Sequence, residues 1–224
     1  MTDSSARTDQ KAQLNVQMLV YAYTQGIFPM ADPDTDQIYW YSPDPRGIIP
    51  LDRFHVTRSL RRVVKGGKFA IKSDENFTEV MRQCAAPRPD EGNETWINAE
   101  LISAYTELHT LGLAHSVEAY VFDPATGKEI LVGGLYGVAI RGAFFGESMF
   151  HRSDLGGTDS SKVCLVHLVN HLRKRGFVLL DTQFVTDHLA RFGCVEIMRE
   201  EYLSRLKHAL EVETSWWPFE VVEG

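Results

Sequence analysis

Gly146-Glu147-Ser148-Met149-Phe150 and, further along, Leu180-Asp181-Thr182-Gln183 are the stretches whose reading decides the fold. Phe144 and Phe145 lead into the first, so the pattern predicts a buried strand that ends by delivering Glu147 into the open. Val178-Leu179-Leu180 is a second apolar run, and it ends in Asp181. Side chains two apart on a strand face the same way, so Asp181 and Gln183 are expected to point together. Two strand ends carrying acids fit a site that handles a cation or an amine. On spacing alone, acids that cap strands or pair with arginines are the simpler reading.

The pattern extends outward in both directions. Three strands are expected at 115–122, 130–140 and 143–147, with Pro124 and Gly127 marking a turn between the first two. Gly133-Gly134 inside a strand signals a bulge or a close backbone approach. Leu165, Leu168, Val169 and Leu172 form the inward face of a helix over 160–175. Arg173, Lys174 and Arg175 close it at the end where the helix dipole favours cations. Strand 177–181, helix 186–192, strand 194–198 and helix 200–210 follow. Upstream, Asn98 caps a helix with Leu101, Tyr105 and Leu108 on one face, stopped by Gly112. Further helices are expected at 57–65 and 75–85, a strand at 68–72, and a loop rich in Pro, Asp and Gly at 86–94. A helix at 14–25, with Leu14, Met18, Tyr21 and Ala22 near helical spacing, precedes an irregular stretch at 31–50 rich in Pro and Asp. Residues 1–13 read as a mobile tail. A small N-terminal domain is expected over 1–50 and a larger one over 51–224. Strands and helices in this order fit an α+β or an α/β domain.

Composition sets limits. Of 224 residues, 44% are hydrophobic and 24% charged, the balance of a globular protein with a sizeable core. No apolar run is long enough to span a bilayer, and the first residues lack the apolar stretch of a signal peptide. A cytoplasmic protein with no membrane contact is expected. Cys84, Cys164 and Cys194 are odd in number and widely spaced, which fits neither a disulfide framework nor a zinc site.

A formal net charge of -7 argues against broad, non-specific nucleic-acid binding. Locally the balance reverses. Arg58, Arg61, Arg62 and Lys65 fall on one helical face with no acid among them. In an acidic chain such a face is a phosphate-binding candidate as well as a solvated surface. Other chemistries fit poorly. His167 and His171 share a helix face, but Leu168 stands where a zincin needs glutamate, so no metal is expected. Ser148 lies outside a Gly-x-Ser-x-Gly elbow. Trp40, Tyr41 and Trp96 sit in or beside turn-prone sequence, where an unpaired base can stack on an aromatic. Trp40 reads more simply as interface core.

Taken in order, Gly26-Ile27-Phe28-Pro29, Trp40-Tyr41-Ser42-Pro43-Asp44-Pro45-Arg46, Glu94-Thr95-Trp96-Ile97, His115-Ser116-Val117-Glu118 and Leu131-Val132-Gly133-Gly134-Leu135-Tyr136-Gly137 precede Gly146-Glu147-Ser148-Met149-Phe150, Ser161-Lys162 and Asp181-Thr182-Gln183. This series resembles the leucyl/phenylalanyl-tRNA–protein transferase family over residues 14–206. The resemblance implies an α+β, GNAT-type acyltransferase fold. It also implies transfer of leucine or phenylalanine, with methionine a third candidate donor, from aminoacyl-tRNA to the N-terminal α-amine of proteins starting with Arg or Lys. The product would be marked for degradation, and no cofactor is needed. Asp181, Gln183 and Glu147 would be catalytic, with Glu147 holding the acceptor's positive charge. Gln183 would orient the amine rather than act as base, because a neutral amide is a very poor base. Trp96 and Tyr105 would hold the terminal adenosine. Leu135, Phe144, Leu168, Leu172 and Leu180 would form the donor side-chain pocket, and Arg58, Arg61, Arg62 and Lys65 would hold acceptor-stem phosphates.

The chain departs from the family pattern at several places. Met30 stands where tryptophan usually follows Gly-Ile-Phe-Pro, a Gly-Gly-Asp-Leu-like segment before the first helix is missing, there is extra sequence between Phe150 and Lys162, and Leu168 and Leu172 replace phenylalanines. Two alternatives remain open at this stage. One is a coenzyme A-dependent N-acyltransferase, against which the glycines of Arg152-Ser153-Asp154-Leu155-Gly156-Gly157 are wrongly spaced for the pyrophosphate loop. The other is a non-catalytic binder of peptide N-termini.

Overall fold

The computed structural model describes residues 14–87 and 95–221. The expected tail at 1–13 and most of the loop at 86–94 lie outside the described residues. Seven strands form one sheet, in the order β4 (Ala70–Ser73), β5 (Ala114–Asp123), β6 (Lys128–Ile140), β7 (Ala143–His151), β8 (Leu179–Gln183), β3 (Arg46–Ile48) and β9 (Val195–Ile197). All neighbours are antiparallel except β7 and β8, which run parallel. Parallel neighbours need a crossover, and helix α5 (Ser160–Arg175) supplies it. A separate hairpin pairs β1 (Phe28–Ala31) with β2 (Ile38–Tyr41).

Adjacent strand residues point to opposite faces, which gives the sheet two cores. Tyr136, Val138 and Phe145 face one core, built with helices α1 (Val16–Thr24), α3 (Phe77–Ala85), α4 (Ala99–Thr110) and α7 (Arg199–Glu211). Leu135, Ala139 and Phe144 face the other, covered by α5 and by α2 (Arg58–Lys65). The result is the expected α+β class, with a helical layer on each side of a mixed sheet. Helix α5 has the expected bounds, and Gly176 stops it at φ 80° with Phe177 N–H returning to the Leu172 carbonyl.

Four points differ from expectation. The stretch 31–50 is not irregular throughout, since β2 and β3 lie inside it and β1 enters it. Its prolines and aspartates occupy the connections, and the strands are too short to show a period. Strand β3 lies before residue 50 yet sits inside the large sheet between β8 and β9. In α1 the inward face is Val16, Leu19, Ala22 and Tyr23, while Met18 and Tyr21 are exposed. Finally, β7 does not stop at Glu147 but continues to His151.

A candidate active site where two strands part

The parallel pairing of β7 with β8 ends at Phe145 and Asp181. Beyond that point β7 keeps its partner β6 only through a bulge. Tyr136 faces Ser148 and Gly137 faces Gly146, so Glu147 is the extra residue. A bulge re-aims the side chain it carries. Gly137 permits it, because a Cβ there would collide with the Phe145 carbonyl and the Phe144 ring. Glu147 is therefore a mid-strand residue turned by local irregularity, not a strand end open to solvent.

Glu147 accepts a hydrogen bond from Tyr23 Oη at 2.7 Å, and Tyr105 Oη lies 3.4 Å from its second oxygen. Tyr23 and Tyr105 also share a very short hydrogen bond. Loss of water around Glu147 pushes its carboxyl up to about 8, with the nearby Asp181 charge adding to the effect. The Gln183 amide has two workable orientations. With its nitrogen on the Thr182 and Gly146 carbonyls, both at 2.9 Å, its oxygen faces Glu147 and accepts from the protonated acid. Turned over, its nitrogen donates to Glu147 Oε1 at 3.3 Å and suits the ionised acid.

Asp181 lies differently from the expectation. It is fully buried and, unlike Gln183, does not line the cavity. Arg46 grips it with two hydrogen bonds, Nε to Oδ1 at 2.9 Å and Nη2 to Oδ2 at 2.6 Å. Tyr202 Oη donates to Oδ2 at 2.7 Å, and the Gln183 backbone N–H donates to Oδ1 at 2.8 Å. The shared direction of Asp181 and Gln183 fails because Gln183 adopts φ 59°, which breaks the strand alternation. Arg46 reaches Asp181 because β3 lies against β8, and its guanidinium sits over the rings of Phe28 and Tyr202.

A cavity of about 1240 Å³ opens where the strands part. Glu147, Gln183 and Thr182 supply polar groups to it. Leu135, Met149, Leu165, Leu168 and Leu180 form its apolar wall on the α5 side. Trp96, Phe28 and Met30 line it on the opposite face. Met30, where tryptophan was the expected residue, thus still borders the cavity, and the Ala31 N–H next to it binds the Trp96 carbonyl at 3.0 Å.

Three expected pocket residues are not in the wall. Phe144 is fully buried and stacks on Trp216, and Leu172, one turn beyond Leu168, is fully buried in the core behind. Tyr105 is also fully buried and supports Glu147 from the side away from the cavity lining. The residues missed by sequence reading are Arg46, Tyr202, Tyr23, Met149 and Leu165. Arg46 stands at the end of the Trp40–Arg46 motif and Tyr23 follows the 16-19-23 helical spacing. Nothing local marked Tyr202, whose partner is 21 residues away in sequence.

Helix α2 presents Arg58, Arg61, Arg62 and Lys65 to solvent and buries Leu60, with Thr57 as its cap. Arg173, Lys174 and Arg175 are engaged with the protein itself, on the Leu51 carbonyl, Glu220 and the Ser215 carbonyl. The loop considered for coenzyme A spends its amides internally. Leu155 and Gly157 N–H bind the Arg152 carbonyl, and Gly156 N–H binds that of Ser153. Those three amides, both glycines included, are thus not available to a pyrophosphate. Asp74, His109 and His115 come together, with Asp74 on His115 Nδ1 at 2.7 Å. His115 Nε2 contacts the Gly112 carbonyl and His109 Nδ1 the Ala114 carbonyl, so this cluster is paired with the protein. Burial lowers both His167 and His171 to about 4.

The described helices include none long and apolar enough to cross a membrane. A family model described as leucyl/phenylalanyl-tRNA protein transferase matches residues 48–207, and one for the N-terminal domain of that protein matches residues 12–44. The leucyl/phenylalanyl-tRNA–protein transferase of Rhodospirillum rubrum is 52% identical over 88% of this chain and 87% of its own length. The proteins of that name from Salinibacter ruber and Paramagnetospirillum magneticum are 45% and 51% identical, over 94% and 91% of this chain and 87% and 92% of their own lengths. Among solved structures, FemX is similar with a TM-score of 0.47 at 11% identity, covering 76% of this chain and 60% of that one. L-PGS from Bacillus licheniformis gives a TM-score of 0.41 at 10% identity, covering 86% of this chain and 62% of that one. The matched span takes in both strands that part at the cavity, with Glu147, Asp181 and Gln183 on them, and on this evidence the chain belongs to the leucyl/phenylalanyl-tRNA protein transferase family.

Proposed function

We propose that this aminoacyltransferase, which moves an aminoacyl group from tRNA to protein N-termini, takes leucine or phenylalanine as donor and proteins beginning with Arg or Lys as acceptors. The observation that carries the reading is the Glu147 carboxyl, pushed up to about 8 by burial, in a cavity whose α5-side wall is leucine and methionine. The apolar wall suits an aliphatic or aromatic donor side chain. Glu147 suits a cation.

The ester on the ribose is already activated, so the enzyme must supply orientation and a neutral amine. An α-amino group titrates at about 7.7–8.0. A carboxyl at about 8 is matched to receive its proton. Glu147 thus attracts the acceptor's charge and serves as the proton acceptor, and the Gln183 amide turns with its protonation state. Asp181 has no free oxygen for the substrate. It positions, by fixing Arg46 and the backbone of Gln183. Holding amine and ester in place itself lowers the barrier by several kcal/mol.

Trp96, with Phe28 and Met30, is assigned to the terminal adenosine. The exposed face of α2 is assigned to acceptor-stem phosphates, which position the tRNA without reading its sequence. A charged-tRNA donor suits an enzyme of the cytoplasm, and its products would enter N-terminal degradation. The test is incubation with labelled Leu-tRNA or Phe-tRNA and acceptors that differ only in their first residue. Transfer confined to Arg- and Lys-initiated acceptors is expected. Equal labelling of Asp- or Gly-initiated acceptors overturns the acceptor assignment.

A further inference from the structure

Helix α5 begins without a side-chain cap. Asp159 occupies the cap position but makes no capping hydrogen bond, and its carboxylate turns to Lys162 Nζ at 2.5 Å. Ser160, the first helical residue, gives its hydroxyl to the Val132 carbonyl at 3.0 Å. Ser161 does not follow. Its side chain is 4% exposed and lines the cavity, yet its hydroxyl has no hydrogen-bond partner among the described residues. The hydroxyl is not among the enclosed unpaired atoms, so its oxygen opens onto the cavity and is free to donate to a ligand atom that enters there.

Its position decides which atom. Ser161, Leu165 and Leu168 stand at i, i+4 and i+7 on one helix face, and all three line the cavity. Ser161 lies about 6 Å from Leu165 along the axis, at 1.5 Å per residue. A leucyl side chain lying on Leu165 and Leu168 brings its own ester carbonyl to the level of Ser161. The start of α5 is also the positive end of the helix dipole. That end repels an ammonium and favours an oxygen that gains negative charge.

We infer that Ser161 donates its hydroxyl to the carbonyl oxygen of the aminoacyl ester and holds the oxyanion of the tetrahedral intermediate, an inference that rests on the transfer reaction proposed above. The acceptor nitrogen forms the new C–N bond, and the C=O π pair moves onto the oxygen held by Ser161. Collapse restores C=O and breaks the bond to the ribose oxygen. The proton lost by nitrogen passes through Glu147 to that departing oxygen.

Ser161→Thr and Ser161→Val test this, because the two side chains have the same shape and only threonine keeps the hydroxyl. A folding defect strikes both alike, so the Thr/Val ratio remains the readout. Ser161→Val is expected to lose about 10²-fold in kcat, while Ser161→Thr stays within about threefold of wild type. Affinity for a non-reactive amide analogue of the aminoacyl-adenosine end should change less than about twofold in both. Equal kcat in the two variants overturns the inference. A loss of analogue affinity in Ser161→Val as large as its loss in kcat also overturns it, since the hydroxyl then serves ground-state binding. If the wild-type chain transfers neither leucine nor phenylalanine, the donor reading itself fails, and that outcome is visible before any variant is compared.

Discussion

Arg46 and Asp181 form a two-point ion pair, with Nε–Oδ1 at 2.9 Å and Nη2–Oδ2 at 2.6 Å, in which both side chains are almost fully buried. Removing one member of such a pair strands the other's charge in the core. Asp181→Ala is therefore expected to destabilise the fold by about 3–5 kcal/mol. Asp181→Asn should cost less, because it keeps the shape and part of the hydrogen bonding. Urea denaturation of both variants measures this. Wild-type stability in Asp181→Ala would mean that Arg46 finds another partner, and the pair would then be incidental to the site.

Glu147 gives a pH signature of definite sign. Its carboxyl rises from the ordinary 4.5 to about 8 because burial strips its water. Between those values the folded protein holds a proton that the unfolded chain has lost. Its contribution is thus full below 4.5 and is lost as pH climbs to about 8. The slope from this one group is at most about 1.4 kcal/mol per pH unit. Glu147→Gln should flatten the wild-type curve across that window, and transfer by the wild type should rise toward pH 8 as the acid ionises. Parallel stability curves for wild type and variant would rule the shifted acid out.

The basic face of α2 makes a salt-dependent claim. Arg62→Glu combined with Lys65→Glu should weaken tRNA binding and reduce the slope of log K against log salt by about two. An aminoacyl-adenosine donor without the tRNA body should be used as before. Equal damage with both donors would show that these side chains do not touch the tRNA body.

Leu168 and Leu172 separate pocket from core. Only Leu168 lines the cavity. Leu168→Phe fills the wall, which penalises the larger donor, and should shift the Leu/Phe preference toward leucine by about tenfold. Leu172→Phe overfills a closed core and should cost about 1–3 kcal/mol of stability with no change in that preference. Competition between Leu-tRNA and Phe-tRNA for one acceptor reads both variants. A preference shift in Leu172→Phe and none in Leu168→Phe would reverse the assignment.

Periodic and punctuated features were determined by the sequence itself. The 160–175 helix, the cap Asn98, and the strands through Phe144–Phe145 and Leu179–Leu180 all follow from local chemistry. So did the one-sided charge of α2. The ordered motifs carried the family, and with it the pairing of Glu147 with Gln183 in one site. Only the tertiary structure decided how those groups are presented. A bulge opposite Gly137 turns Glu147, and a left-handed Gln183 ends the alternation that had placed it beside Asp181. Arg46 and Tyr202 converge on Asp181 from opposite ends of the chain because β3 inserts beside β8 and α7 packs beneath. Leu168 and Leu172 look alike in sequence, one turn apart, yet one faces a cavity and the other faces packed atoms. Helical periodicity specifies which face is apolar. Whether that face meets another side chain or empty space depends on where β7 and β8 part, and strand separation is a property of the assembled sheet.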